Sequence, residues 1–283
     1  MNFRILEEFN YIEGMKKMEK DNQVVSEKNQ EKSYNKYLNV EMANPSEETL
    51  KLITLGPINS LKATRIENRN DLFKDGYLET ETGYCVLENG TAFVACLTKM
   101  PDVTTEMFDW WFAWHGLDSL RYQIWNPEDH FEVETLHREK ALDSSLSYKE
   151  RYWNTTHLVT EDIGLGRDVI QINFKNPADL GYEADKIGTN TCGTIVCANC
   201  TSENKLNAVM THFVREIEGG IELRSRFWIG YQIDENKNPV KVLPERVTIP
   251  EFAPKSLINH CAKEFAHLAK ILPSLFKEEK LNF

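Results

Sequence analysis

His260 and Glu264 stand four residues apart near the C-terminus, within residues 256–276, SLINHCAKEFAHLAKILPSLF. On a helix that spacing projects both side chains from one face, one turn apart. An imidazole and a carboxylate so placed can share one metal ion, although the same spacing also describes an exposed ion pair. The segment has helical periodicity: Leu257, Cys261, Phe265, Leu268 and Leu272 fall on one apolar stripe that must face a core. His267 shares the polar flank and is expected at the surface or behind the ligands. A metal needs further donors. His130, after the turn Asn126-Pro127-Glu128-Asp129, and Glu161, closing His157-Leu158-Val159-Thr160-Glu161, sit where a sheet can present side chains to a cavity. Periodicity alone does not select them over His115, His137 or His157.

The elements that must position these residues are mostly strands. Residues 84–88 and 91–96 flank Asn89-Gly90, both tolerant of positive φ, and predict a hairpin. Residues 102–116 predict a deeply packed helix, capped by Thr104 or Thr105, carrying Trp110-Trp111-Phe112-Ala113-Trp114 and ended by Gly116. Further strands are expected at 120–125, 152–161, 168–174, 191–198, 206–216 and 221–233. Upstream, Ser46 is expected to cap a helix whose first turn carries Glu47 and Glu48. Residues 1–36 read as a short helix and a mobile connector around 21–36. These elements predict an α+β helix-grip architecture, a curved antiparallel sheet around a long C-terminal helix with a cavity between. Two regions are expected: 1–78, helical, partly mobile and suited to dimerisation, and 79–283, the helix-grip domain.

The last hairpin predicts a register. A two-residue turn at Gly219-Gly220 sets Glu218 against Ile221, His212 against Phe227, Met210 against Ile229 and Val214 against Ser225. His212 then points inward with Met210 and Val214, facing Phe227, Ile229 and Tyr231, and becomes a candidate acid–base group.

Composition narrows the function classes. The 283 residues carry a net charge of −11 and no basic cluster, which argues against nucleic acid and anionic membranes as partners. No apolar run is long enough to span a bilayer, and six cysteines in such a chain are not a secreted disulfide framework. A soluble cytoplasmic protein with reduced thiols is expected. Cys197 and Cys200 form a lone CxxC, read as inert strand thiols. Gly164-Leu165-Gly166 is too short for a phosphate loop, and there is no Gly-x-Ser-x-Gly elbow.

The segments DWWFAWHGLDSLRYQIWNPEDH, THLVTEDIGLG, THFVREIEGGIELRSRFWIGY and NHCAKEF resemble the diacetylphloroglucinol hydrolase and phloretin hydrolase family over about residues 80–270. The resemblance implies a plant-allergen-like helix-grip fold, dimers, and cleavage of the carbon–carbon bond between an acyl group and a phloroglucinol ring. It implies one Zn2+ per chain on His130, Glu161, His260 and Glu264, with Tyr122 and His212 contacting the ring. Four protein ligands close a zinc site, so turnover requires a fifth position or a loosened ligand, expected to be Glu161. Two positions depart from the pattern. Phe131, Glu132 and Val133 stand where an amide is expected, and Phe227 where a tyrosine is expected, unless Tyr231 takes that role. Both changes remove a hydrogen bond to substrate. They favour a bulkier, apolar acyl group, as in phloretin, which would yield phloroglucinol and 3-(4-hydroxyphenyl)propanoate. Alternatives are a mono- or diacetylphloroglucinol hydrolase, or a non-catalytic carrier of aromatic ligands.

Overall fold

A computed structural model describes residues 28–203 and 206–283. The chain divides into two units, residues 1–40 and 41–283. The helix expected near the N-terminus falls on residues outside those described. Residues of the expected connector instead form a 3-10 helix, Ser33–Asn39.

In the second unit, Ser46 caps α1 (Glu47–Thr54), its hydroxyl accepting the Thr49 N–H at 3.1 Å. The main sheet among the described residues has eight strands: β1 (Gly83–Val86), β2 (Ala92–Pro101), β3 (His130–Thr135), β4 (Thr156–Glu161), β5 (Asp168–Lys175), β6 (Thr194–Ser202), β7 (Asn207–Ile217) and β8 (Gly220–Ile229). Their order is β1-β2-β8-β7-β6-β5-β4-β3, every neighbour antiparallel. A small pair, β9 (Tyr231–Ile233) and β10 (Pro239–Lys241), follows. The helices are α2 (Thr105–Trp114), α3 (Ser119–Gln123), α4 (Arg138–Leu142), α5 (Tyr148–Tyr152) and the long α6 (Phe252–Glu279). A large antiparallel sheet with one long C-terminal helix packed on β2 fits a helix-grip-like arrangement.

Period-two alternation gives the sheet two packed faces. The inner face carries Val159, Phe174, Val196, Met210, His212 and Phe227, and meets α2 and α6. Phe265 of α6 sits 4.7 Å from the His212 ring and 5.3 Å from Trp125. Ile258, Cys261, Phe265, Leu268 and Leu272 of α6 are essentially inaccessible to solvent. At about 1.5–3 kcal/mol per buried side chain, that stripe dominates the docking of α6. The outer face carries Phe93, Cys197, Val209, Phe213 and Trp228, and is covered by Ile66, Leu72, Phe73, Leu180 and Tyr182. Cys197 belongs to this outer core while Cys200 lines a cavity on the inner side, so the CxxC thiols point to opposite faces and form no pair. All six cysteines are free.

Several expected strands shorten or change type. Residues 120–125 are not a strand: Asp118 Oδ1 accepts the Leu120 N–H at 2.9 Å and starts α3. The alternation of Leu120, Tyr122 and Ile124 mimics a strand, but the cap and the i,i+4 pair Leu120/Ile124 favour one helical turn. The strand expected from 152 begins at Thr156, because the Ser147/Glu150 capping box first builds α5. The final hairpin turns at Glu218-Gly219, pairing Ile217 with Gly220, so His212 lies opposite Ser225 and Met210 opposite Phe227. Gly219 takes the turn's left-handed conformation (φ +78°). Gly220 must instead lie flat against β2, where a Cβ would come 2.4 Å from the Met100 carbonyl oxygen. The shift is two residues, so the expected faces survive up to Ile229. Beyond it Gly230 (φ +93°) breaks the strand, and Tyr231 joins the outer core, away from Phe227.

The outer face also buries charge. Arg224 and Arg226 are fully inaccessible, and both converge on Glu81, with contacts of 2.6 Å to each carboxylate oxygen. Glu81→Ala would leave two guanidinium groups buried without their counter-ion and is expected to cost about 3–5 kcal/mol of stability, read by urea denaturation.

Candidate metal centre

β3 and β4 bring two of the donors together. His130, the first residue of β3, pairs with Glu161, the last of β4, and the ladder then slips so that Phe131 is an extra, bulged residue. Turn hydrogen bonds from the Asp129 and His130 N–H groups to the Asn126 carbonyl fix the entry to β3. α6 brings His260 and Glu264 from the other side. Suitable donor atoms of His130, Glu161 and His260 lie within 4.8 Å of one another. His130 Nε2 is 3.3 Å from His260 Nε2, 3.6 Å from Glu161 Oε2 and 3.5 Å from Glu264 Oε2. His260 Nε2 is 3.7 Å from Glu264 Oε2.

These separations suit a shared ion. Two nitrogens each about 2.0–2.1 Å from a tetrahedral ion stand about 3.3 Å apart. His130 Nδ1 donates to the Tyr122 carbonyl at 3.3 Å, which leaves Nε2 as a lone pair aimed at the cluster. Two facing ring nitrogens at 3.3 Å require a proton or a cation between them. The donor set, two imidazoles and carboxylate oxygens, matches the chemistry of divalent transition ions. His130, Glu161 and His260 therefore form a candidate divalent-ion site, and Glu264 Oε2 stands beside both imidazoles.

Burial makes the cluster electrostatically tense. Desolvation, reinforced by the nearby charge of His260, pushes His130 well below 6.5. Burial opposes protonation of His260 too, but the carboxylates of Glu264, Asp129 and Glu161 outweigh it and raise the imidazole to about 9. Desolvation raises Glu264 to about 8. A divalent ion would relieve all three at once.

Aromatic side chains fix the ligands. The Tyr122 ring stacks on His130 at 4.1 Å and 2°, and its hydroxyl donates to Glu161 Oε2. Burial first, then the Glu161 charge, hold the Tyr122 phenol well above 10, so it stays a donor. Trp125 packs edge-on against His130 at 5.1 Å and donates to the Glu264 carbonyl at 3.1 Å.

Beside Glu161 opens a mainly apolar cavity of about 180 Å³, whose wall includes Ile170, Ile172, Met210, Phe227, Ile229 and Leu257. The β4–β5 loop forms its rim. There Asp162 Oδ1 accepts the N–H groups of Gly164, Leu165 and Gly166 at 2.8–3.0 Å, so these amides are already occupied. Arg167 of this loop lies 3.5 Å over the ring of the bulged Phe131.

The other candidate residues are distributed unevenly. Phe227 lines the cavity. His212 lies next to it, ring centroids 5.7 Å apart, with Nδ1 2.8 Å from Ser225 Oγ. Among the described residues it has no hydrogen bond to the cluster, and burial lowers it to about 3, leaving it neutral. Val133 is buried opposite Val159 and is not among the residues lining the cavity. Tyr231 is on the outer face, accepting from Asn89 Nδ2 at 2.8 Å. His267 is neither exposed nor beside the ligands: it is fully buried and accepts the Ala43 N–H at 3.3 Å. His115 and His157 are buried in the aromatic core, 5.6 Å apart. Asp129 and Arg167 are contacts that the sequence alone does not single out; their only signals are the acidic residue beside His130 and the Asp-x-Gly-x-Gly loop after Glu161.

A buried His/Glu cluster beside an apolar cavity has the chemistry of a metal-dependent enzyme site. Comparison with known proteins sharpens the class. Residues 63–277 match the family model described as the DAPG hydrolase PhiG domain. Phloretin hydrolase of Eubacterium ramulus is 41% identical over 263 residues, which cover 92% of this chain and 94% of that protein. The 2,4-diacetylphloroglucinol hydrolases of Pseudomonas sp and Pseudomonas protegens are each 30% identical over 263 residues, covering 87% of this chain and 88% and 84% of theirs. The chain belongs to the DAPG hydrolase family and is a hydrolase acting on carbon–carbon bonds in ketonic substances. No helix among the described residues is long and apolar enough to cross a membrane.

The titrations give a pH signature. His260 has its folded pKa raised above 6.5, so its contribution to stability is full below 6.5 and lost as pH rises through about 9. Glu264, raised above its usual 4.5, likewise favours the fold while protonated, and that preference is lost as pH rises through about 8. Chelator-treated protein is expected to lose stability between about pH 6.5 and 9, and added divalent ion to restore it, as read by thermal unfolding across that range.

Proposed function

We propose that this protein is a zinc-dependent hydrolase of acylphloroglucinols, with phloretin as preferred substrate and phloroglucinol and 3-(4-hydroxyphenyl)propanoate as products. The observation that carries the reading is the convergence of His130, Glu161, His260 and Glu264 beside an apolar cleft. The greater identity to phloretin hydrolase than to the diacetylphloroglucinol hydrolases supports the longer arm. Both named activities are hydrolytic, so the carrier reading is not retained. We read the fold as the plant-allergen-like helix-grip type. The family resemblance supports a homodimer and the composition a cytoplasmic place; light scattering at twice 32.8 kDa would read the assembly.

His130, Glu161, His260 and Glu264 would hold the ion; when bound, it supplies a Lewis acid for the side-chain carbonyl and lowers the pKa of water towards about 7. The reaction adds water across the acyl–aryl bond: the carbonyl carbon gains oxygen, and the ring carbon gains a proton and leaves as a stabilised enolate. The protein's own groups orient and exclude water. Tyr122, kept protonated by burial, can pass its hydrogen bond from Glu161 to a ring hydroxyl, which frees Glu161 to loosen. His212, beside Phe227 and kept neutral by burial, is assigned a hydrogen bond to a ring hydroxyl during the shift to the keto form, not its full proton. Phe227, without a hydroxyl, leaves an apolar wall where a shorter, more polar acyl group would find no partner.

The arm lies along Ile170, Ile172, Ala208 and Ile229 in this reading. Ala208→Leu is expected to lower kcat/KM for phloretin about tenfold while changing that for monoacetylphloroglucinol less than about threefold, since each added methylene in such a pocket weighs about 1–3 kcal/mol. Product formation from both substrates checks it, and equal losses on the two would contradict the placement of the arm.

A further inference from the structure

The two histidines of the cluster are oriented differently. A metal-binding imidazole offers one nitrogen and must keep its proton on the other, which then needs an acceptor. For His130 that acceptor is the Tyr122 backbone carbonyl. For His260 the nearest acceptor is a side chain: Asp129 Oδ2, 3.6 Å from Nδ1. His260 Nδ1 is buried and has no hydrogen bond at ordinary length. Asp129 is itself clamped, with Lys263 Nζ and Asn126 Nδ2 each donating to Oδ2 at 2.9 Å. Lys263, three residues from His260 on α6, also reaches Glu128 Oε2 at 2.6 Å. Asp129 stands outside the donor set and faces the opposite edge of the ring from Nε2. The clamp therefore joins the turn before β3 to α6, the two elements that carry the two histidines.

We propose that Asp129 is the positioning residue of His260: it accepts the Nδ1 proton, fixes Nε2 as the ligand nitrogen and sets the ring's angle, with Lys263 and Asn126 holding its carboxylate in place. The inference rests on the metal reading of the site. Asp129 touches neither substrate nor ion. Its effect is on affinity for the ion and on how firmly His260 is held.

Competition of Zn2+ and Co2+ against a chromophoric chelator, on the full chain stripped of metal, tests it. Asp129→Asn is expected to bind both ions about 10–100-fold more weakly, the range found when such partners are removed. The Co2+ absorption maxima should stay in place, because the ligand set is unchanged. In a His260→Ala background the same substitution should change affinity less than about twofold, an outcome that a general packing role would not produce. If Asp129→Asn does not fold, Lys263→Met with Asn126→Ala leaves the carboxylate present but unclamped, and should weaken binding about three- to tenfold. Wild-type affinity in Asp129→Asn, an equal loss with and without His260, or displaced Co2+ bands would overturn the proposal. A wild-type chain that binds neither ion would overturn the metal reading itself, and this inference with it.

Discussion

The site depends on one uncomfortable contact: two imidazole nitrogens facing each other at 3.3 Å inside a buried ring of carboxylates. Left alone, the groups can settle only by sharing protons, at the expense of their usual ionisation. Everything around them serves to hold that arrangement. The β3–β4 register aligns His130 with Glu161, Tyr122 and Trp125 wedge the His130 ring, and the apolar stripe of α6 delivers His260 and Glu264 to the same point. Binding energy from the helix stripe thus offsets the electrostatic cost of the cluster.

An apolar cleft lies beside that point. Its walls come from the inner faces of β5 to β8 and from the start of α6, so the same alternation that buries Phe174 and Val196 further in leaves Ile170 and Ile172 half-buried near the rim. The rim is stiff: Asp162 ties the β4–β5 loop through three amides, and Arg167 lies over the bulged Phe131. The bulge lets His130 pair with Glu161 at the end of the ladder.

Much of this was legible in the sequence. The α6 stripe, the Asn89-Gly90 hairpin and the Thr104 cap followed from local chemistry, which tertiary packing did not need to override. Donor identities were another matter. Periodicity set His260 and Glu264 side by side but left His130 level with His115, His137 and His157, because spacing along a chain says nothing of distances across a sheet. The family resemblance broke that tie. What the sequence misread has local causes: Asp118 converts an alternating stretch into a helical turn, Gly220 moves the last hairpin by two residues, and Gly230 sends Tyr231 to the outer face. Asp129 and Arg167 went unseen because each acts through a contact made only once β3, β4 and α6 have assembled.

The central claim is that the four-residue cluster holds one divalent ion without which the reaction does not run. Metal content per chain, measured together with phloretin turnover before chelation, after it and after readdition of Zn2+, tests it most directly. The account predicts about one ion per chain, with activity lost on its removal and recovered on its return. Full turnover by metal-free protein would contradict it.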